Sequence, residues 1–342
     1  MPTGLERVRA ALRGEPVDHT PIAPILHAMG ARLIGVPIGR YASDAAVMAR
    51  AITAAYGRFG YDGVQLSLGV AAEAEALGAP TAQPEDGLPV VTRPLLEEPA
   101  DLSRLTVPDV ARAGRLGLLA EAVSRVVGAI GREAWVVATL RGPLLMATQL
   151  RGVEQFLVDL LERPDWCEDL LRLTTQVGAA YGRVLVGAGA HAIAIGEATS
   201  SPDFIAPRLF RERILPHHTA LIAALHAAGA EATVMHICGR ALPIVGDVAA
   251  AGCDVMDIDS QVDPGAAGRV AGDMALRGNI EPAGVLLYGT PALVDERVRE
   301  ALAAAGGNPR FILGSGCDVP PDTPPEHIEA LVRAGRRYGA RG

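Results

Sequence analysis

Short apolar runs alternate with longer amphipathic ones along this chain, and that alternation limits its fold more than any other feature. Eight short runs read as strands, at 19–26, 62–68, 134–140, 191–196, 232–237, 253–258, 273–279 and 310–315. Helix-like stretches lie between them at 44–58, 114–129, 152–187 with a break near Pro164, 207–228, 240–250, 264–271, 293–305 and 324–338. Ser43-Asp44 and Thr290-Pro291 supply polar starts. Gly229, Gly252 and Gly272 fall just past helix ends, where a left-handed residue is favoured. The strands are apolar throughout rather than alternating, which describes a parallel sheet covered on both faces. Eight such units predict a closed (β/α)8 TIM barrel. An open doubly wound sheet is the alternative, but no GxGxxG follows the first strand. The expected domain is a single barrel over 1–342, with an N-terminal helical extension and an irregular, proline-rich insertion at 69–112 after the second strand. That insertion is expected to form a hairpin or cover over part of the barrel mouth.

Composition excludes several chemistries. All 31 basic residues are arginine. A chain without lysine forms no pyridoxal or aldolase Schiff base and no Walker phosphate loop. A net charge of −8 with no long arginine block argues against nucleic acid or an anionic membrane as partner. Aromatics are only 4%, so Ala, Leu and Val must fill the core. The opening MPTGLERVRAALRGEP is charged from Glu6 onward and does not read as a signal peptide. No apolar run approaches the length of about 20 residues that spans a bilayer. Four cysteines in so long a chain make no disulfide framework, so the cytoplasm is the expected compartment.

The candidate chemistry lies at strand ends. The fifth strand closes in Met235-His236-Ile237-Cys238-Gly239. Residues i and i+2 of a strand point the same way, so His236 and Cys238 project together. The eighth strand closes in Gly314-Ser315-Gly316-Cys317-Asp318, on the opposite side of an eight-stranded mouth. His236, Cys238 and Cys317 can then hold one cation, and two thiolates with an imidazole suit zinc and leave a fourth position open. Cys167 in a helix and Cys253 at a strand start read as buried core thiols. Glu197 and Asp257 flank the fifth strand, and either can be a fourth ligand or orient His236. Arg141, Gln149 and Asn279 follow or close the third and seventh strands and are candidate substrate-binding residues. His217 and His218 share a helix but not a face, and surface or helix-dipole roles are expected for them.

The chain resembles the uroporphyrinogen decarboxylase superfamily over nearly its whole length. The resemblance is carried by Arg13-Gly14-Glu15-Pro16-Val17-Asp18-His19-Thr20-Pro21, by Arg141-Gly142-Pro143-Leu144 through Gln149, and by Gly278-Asn279-Ile280-Glu281-Pro282. The closing FILGSGCDVPPDTPPEHIEALVRAGRRYG is similar to the family's last strand and helix. The resemblance implies a (β/α)8 barrel. Within the superfamily, decarboxylases hold a polycarboxylate tetrapyrrole with an arginine-rich segment after strand one. Here HAMGARLIGVPIGRYASD keeps Arg32 and Arg40 but not that motif. The zinc-dependent methylcobamide:thiol (coenzyme M) methyltransferases carry HxC on strand five and GC near strand eight. His236-Ile237-Cys238 and Gly316-Cys317 match them.

This second resemblance implies Zn2+ at His236, Cys238 and Cys317. It also implies methyl transfer between a corrinoid (methylcobalamin) and an activated thiol such as coenzyme M or homocysteine. The expected partners are a corrinoid protein or free cobalamin, and a small-molecule thiol or methyl donor. No DxHxxG segment of the cobalt-ligating kind is present, so this chain is not expected to carry its own corrinoid. Three alternatives stay open: a decarboxylase of the family's original type, methyl transfer in the reverse direction from a donor to the corrinoid, and a non-catalytic corrinoid- or thiol-binding barrel. A homodimer also stays open.

Overall fold

The computed structural model describes residues 1–340; the last two residues of the expected 1–342 domain lie outside the described residues. Its strands are β1 (Gly63–Leu66), β2 (Thr81–Ala82), β3 (Val90–Val91), β4 (Trp135–Arg141), β5 (Ala192–Gly196), β6 (Ala232–His236), β7 (Val255–Ile258), β8 (Ala275–Ile280) and β9 (Phe311–Ser315). Seven of them form one parallel sheet in the order β1-β4-β5-β6-β7-β8-β9. The expected first strand, 19–26, pairs only through isolated bridges, yet it closes the ring. Ala23 N–H donates to Leu313 O (2.8 Å), and Asp62 N–H donates to Ile22 O (2.6 Å). The molecule is thus a (β/α)8 barrel.

Side-chain alternation sorts the barrel into an outer and an inner core. Outward residues such as Leu66, Leu140, Ile195, Met235, Met256 and Leu276 are fully buried under the helices. Many inward residues are alanines, Ala23, Ala192, Ala194, Ala232 and Ala275, and Trp135, Val137, Val234, Val255 and Ile312 fill the space they leave. The barrel floor is plugged by the expected N-terminal helix, Gly4–Arg13, through Leu5, Val8 and Ala11. A reciprocal capping box between Thr3 and Glu6 starts that helix.

Most expected helices appear within a few residues of the read bounds, and the break at Pro164 separates Val153–Glu162 from Pro164–Gly187. Gly229, Gly252 and Gly272 all have positive φ. The 69–112 insertion contains the antiparallel β2–β3 hairpin. Leu88 of its turn packs against Gly69 and, with Val70, walls the mouth cavity. No described helix is long and apolar enough to cross a membrane.

Candidate metal centre

Moving up the inner face toward the strands' C-terminal ends, the residues become polar. Gln65, Thr139, Asp257 and Arg277 form a buried layer above the alanines. Arg277 Nε and Nη2 donate to Asp257 at 2.6 and 2.8 Å, and Nη2 also donates to Gln65 Oε1 at 2.6 Å. Gln65 Nε2 donates onward to Thr139 Oγ1 (3.0 Å). The Arg277 guanidinium lies 5.8 Å from the Trp135 ring centroid, so the layer rests on the apolar core below it.

His236 ends β6 directly above this layer. Its Nδ1 donates to Asp257 Oδ2 at 2.9 Å, which turns Nε2 toward the mouth. Cys238 Sγ lies 3.2 Å from that Nε2, Cys317 Sγ lies 3.5 Å from it, and the two sulfurs are 3.5 Å apart. A tetrahedral zinc with Zn–S near 2.3 Å and Zn–N about 2.0 Å separates its ligand atoms by about 3.5–3.8 Å, so the trio fits such an ion. Two glycines make the approach feasible. A Cβ at Gly316 would sit 2.7 Å from Ser260 N, and Gly239 turns with φ of 77° while its N–H donates to Asp259.

The electrostatics favour an anionic sulfur. The Cys238 thiol bonds to Cys317, and with His236 it holds the Cys317 thiol down at about 4 against burial. Cys238 is pushed up by the same bond and by burial. Burial opposes charge on His236, but its bonds to Asp257 and Cys317 prevail and push it up to about 10. Burial also raises the Asp257 carboxyl, but Arg277 and His236 outweigh it and bring it down to about 2. By contrast, burial, helped by the nearby charges of Asp254 and Asp159, pushes Cys253 and Cys167 up to about 12.

The flanking candidates separate. Asp257 orients His236 and has no oxygen free for a metal, because Arg277 takes both. Glu197 is not directed at the trio: it accepts from the N–H groups of Leu144 (2.9 Å) and Leu145 (3.1 Å) and from Ser200 Oγ (3.1 Å). It therefore caps the helix Pro143–Arg151, a favourable place for an anion. That helix lies where the sequence reading placed none, between 129 and 152, and its Gln149 is not among the cavity-lining residues. Asn279 donates to Val262 O at 2.8 Å and lines an outer groove of about 960 Å³. That groove is larger than the mouth cavity but contains none of the trio.

His218 is also a correction: it is fully buried, with Nε2 3.1 Å from Glu197 Oε1. His217 is nearly buried, beside Glu168.

Arg141 does reach the mouth. It lines a cavity of about 230 Å³ with His27, Gln65, Ser67, His236, Cys238 and Cys317. Burial lowers its pKa, its Nη2 donates to Ser67 Oγ at 3.2 Å, and its Nε has no partner. Gly196 leaves room for it, since a Cβ there would sit 2.6 Å from Arg141 Nη1. Sequence reasoning missed Arg277, although it stands two positions before Asn279 on the same strand, as the register partner of Asp257. It also missed His27, a lone histidine with no spacing partner nearby.

A trio of two thiols and an imidazole at the C-terminal mouth defines a class, the (β/α)8 barrels whose mouth could hold a soft metal ion. The uroporphyrinogen decarboxylase (URO-D) family model matches residues 3–338, and the chain belongs to that family. It is 30% identical over 341 residues to the methylcobamide:CoM methyltransferase MtaA of Methanosarcina barkeri, covering 98% of each. Uroporphyrinogen decarboxylase of Magnetococcus marinus is 29% identical, but over 72% of this chain. A solved methyltransferase from Methanosarcina mazei superposes with a TM-score of 0.90 at 28% identity, over 99% of both chains.

Proposed function

We propose that this protein is a corrinoid-dependent methyltransferase that moves a methyl group between a corrinoid and a small thiol, with zinc held by His236, Cys238 and Cys317. The observation that carries the reading is the trio itself, whose ligand atoms lie within 4.8 Å of one another at the mouth. The full-length similarity to a methylcobamide:CoM methyltransferase supports it. The decarboxylase alternative lacks support in the cavity, where Arg141 is the one arginine among the lining residues, too few for a polycarboxylate.

Bound there, zinc supplies Lewis acidity that leaves a coordinated thiol deprotonated and nucleophilic. Asp257 holds the His236 ring so that Nε2 faces the ion, and Arg277 keeps Asp257 ionised. Val70, Leu88 and Leu145 line the cavity and exclude water from the sulfur. Arg141 lines the cavity and brings a positive charge for an acid group on the thiol, such as that of coenzyme M or homocysteine. The corrinoid approaches from the open side of the mouth, brought by a corrinoid protein or as free cobalamin.

The test is methyl transfer from methylcobalamin to a panel of thiols by the zinc-loaded protein, followed through the corrinoid absorbance. Turnover that requires zinc and is lost in Cys317→Ser is the expected result. No transfer to or from any corrinoid overturns the reading.

A further inference from the structure

We propose that Cys238 and Cys317 form an oxidative modification site: in the zinc-free protein a small disulfide converts them into a Cys238–Cys317 disulfide, which closes the site to zinc until a reductant reopens it. The bond rests on the placement of the two sulfurs, and its effect on zinc rests on the zinc site proposed above. The sulfurs face each other at 3.5 Å, although 79 positions separate the two residues. A disulfide bond is about 2.05 Å long, so closure asks for about 1.5 Å, shared between two side chains. Both thiols are partly exposed and line the mouth cavity of about 230 Å³, where a small reagent reaches them. Cys167 and Cys253 are buried, and neither lines that cavity. Cys253 is held at the floor, where its Sγ donates to Val255 O at 3.1 Å. Cys238 and Cys317 are thus the pair that oxidation can join.

The reaction balances with one co-reactant, a low-molecular-weight disulfide. The sulfur of one cysteine attacks a sulfur of the reagent, the reagent's S–S bond breaks, and one half leaves as a thiolate. The other half stays on the protein as a mixed disulfide. The second cysteine then attacks the protein sulfur of that mixed disulfide, the Cys238–Cys317 bond forms, and the second half leaves. The protein gives up two electrons and two protons, and the reagent departs as two thiols. A neighbouring sulfur at 3.5 Å makes the second step intramolecular, so the mixed disulfide does not accumulate. In the joined pair neither sulfur is an anionic donor. His236 Nε2 is then the one ligand left of the trio, which does not hold a zinc ion by itself.

The chain has no lysine, so trypsin cuts it after arginine alone and leaves each cysteine on its own peptide: 152–172, 214–240, 241–269 and 311–333. The experiment treats the zinc-free full chain with 2-hydroxyethyl disulfide, blocks the remaining thiols with iodoacetamide in denaturant, and reads the unreduced peptides by mass spectrometry. Peptide 214–240 should be linked to 311–333, and the other two should carry blocked thiols. The linked protein should take up no zinc, and dithiothreitol should remove the link and restore uptake to about one equivalent. Cys317→Ser should stop at a mixed disulfide on Cys238, whereas Cys253→Ala should link as wild type does. Mixed disulfides that persist on wild-type Cys238 or Cys317, a link through Cys167 or Cys253, or no reaction at the mouth overturns the proposal. Zinc uptake by the linked protein overturns the closure of the site. A chain that links but takes up no zinc after reduction overturns the zinc site and leaves the link standing, whereas a chain that binds zinc but never links does the reverse.

Discussion

Strand β6 carries a polar cluster at each end, and the two are built differently. At the floor, Thr233 meets Cys253, Asp254 and His226. Asp254 accepts from Thr233 N–H (2.7 Å) and Oγ1 (2.9 Å), His226 Nε2 lies 3.1 Å from it, and Cys253 Sγ donates to Val255 O (3.1 Å). At the mouth, His236 and Cys238 meet Cys317, and buried polar atoms nearby go unpaired: His27 Nε2, Arg141 Nε, Glu73 Oε2 and Thr199 Oγ1. Each unsatisfied group costs about 1–3 kcal/mol, a cost the floor does not carry. The floor is finished as protein, whereas the mouth is arranged for something that arrives from outside. Each end holds cysteine, histidine and a carboxylate, so residue type alone does not separate them.

The largest contrast is expected in metal retention. Cys238→Ser and Cys317→Ser should each lose bound zinc on gel filtration, while Cys253→Ala retains it near one equivalent, read by metal analysis. Loss in all three would erase the distinction between the ends. Thiol reactivity should divide the cysteines next. Cys238 and His236 hold Cys317 below the ordinary thiol range, whereas Cys253 and Cys167 are pushed up to about 12, so Cys317 is the more readily ionised. Iodoacetamide on zinc-free protein at pH 6 should label Cys317 first, zinc should protect it, and Cys253 should stay unmodified until denaturation. Peptide mass spectrometry reads the order, and early labelling of Cys253 would contradict the assigned environments.

Breaking the buried layer beneath the trio comes third. Arg277→Met leaves the buried, charged Asp257 with His236 as its remaining partner, at a cost of about 3–5 kcal/mol in urea unfolding. It should also weaken zinc binding by about 10–100-fold, because Asp257 is no longer held in place beneath His236. The mirror change at the floor is the smallest. Asp254→Asn should cost only about 1 kcal/mol, since its partners are half exposed, and leave zinc affinity unchanged. A floor variant that altered zinc affinity would show that β6 transmits strain between its ends.

The barrel was legible because burial on both faces leaves a local mark: all eight strand segments are short, apolar and followed by helix patterns. The helix Pro143–Arg151 was not, because nearly every residue in it is buried and no polar face gives it a period. Glu197 and Asp257 looked equivalent in sequence, one on each side of β6. Glu197 instead turns to helix amides, and Asp257 lies between Arg277 and His236. Asn279 and Gln149 sit near strand ends in sequence, but neither is among the residues that line the mouth cavity. His27 gave no signal because its partner Asp318 is 291 residues away.

By itself, the sequence determined which way side chains point within a strand. His236 and Cys238 share a face because alternation is a property of the extended backbone, and the same rule builds the alanine interior and the outer apolar layer. Only the tertiary structure decided what meets across the mouth. Cys317 comes within 3.5 Å of Cys238 although 79 positions separate them, because the 19–26 segment closes the sheet and sets β6 and β9 opposite one another. Direction is local and distance is not, so the chemistry of this site depends on how the ring closes.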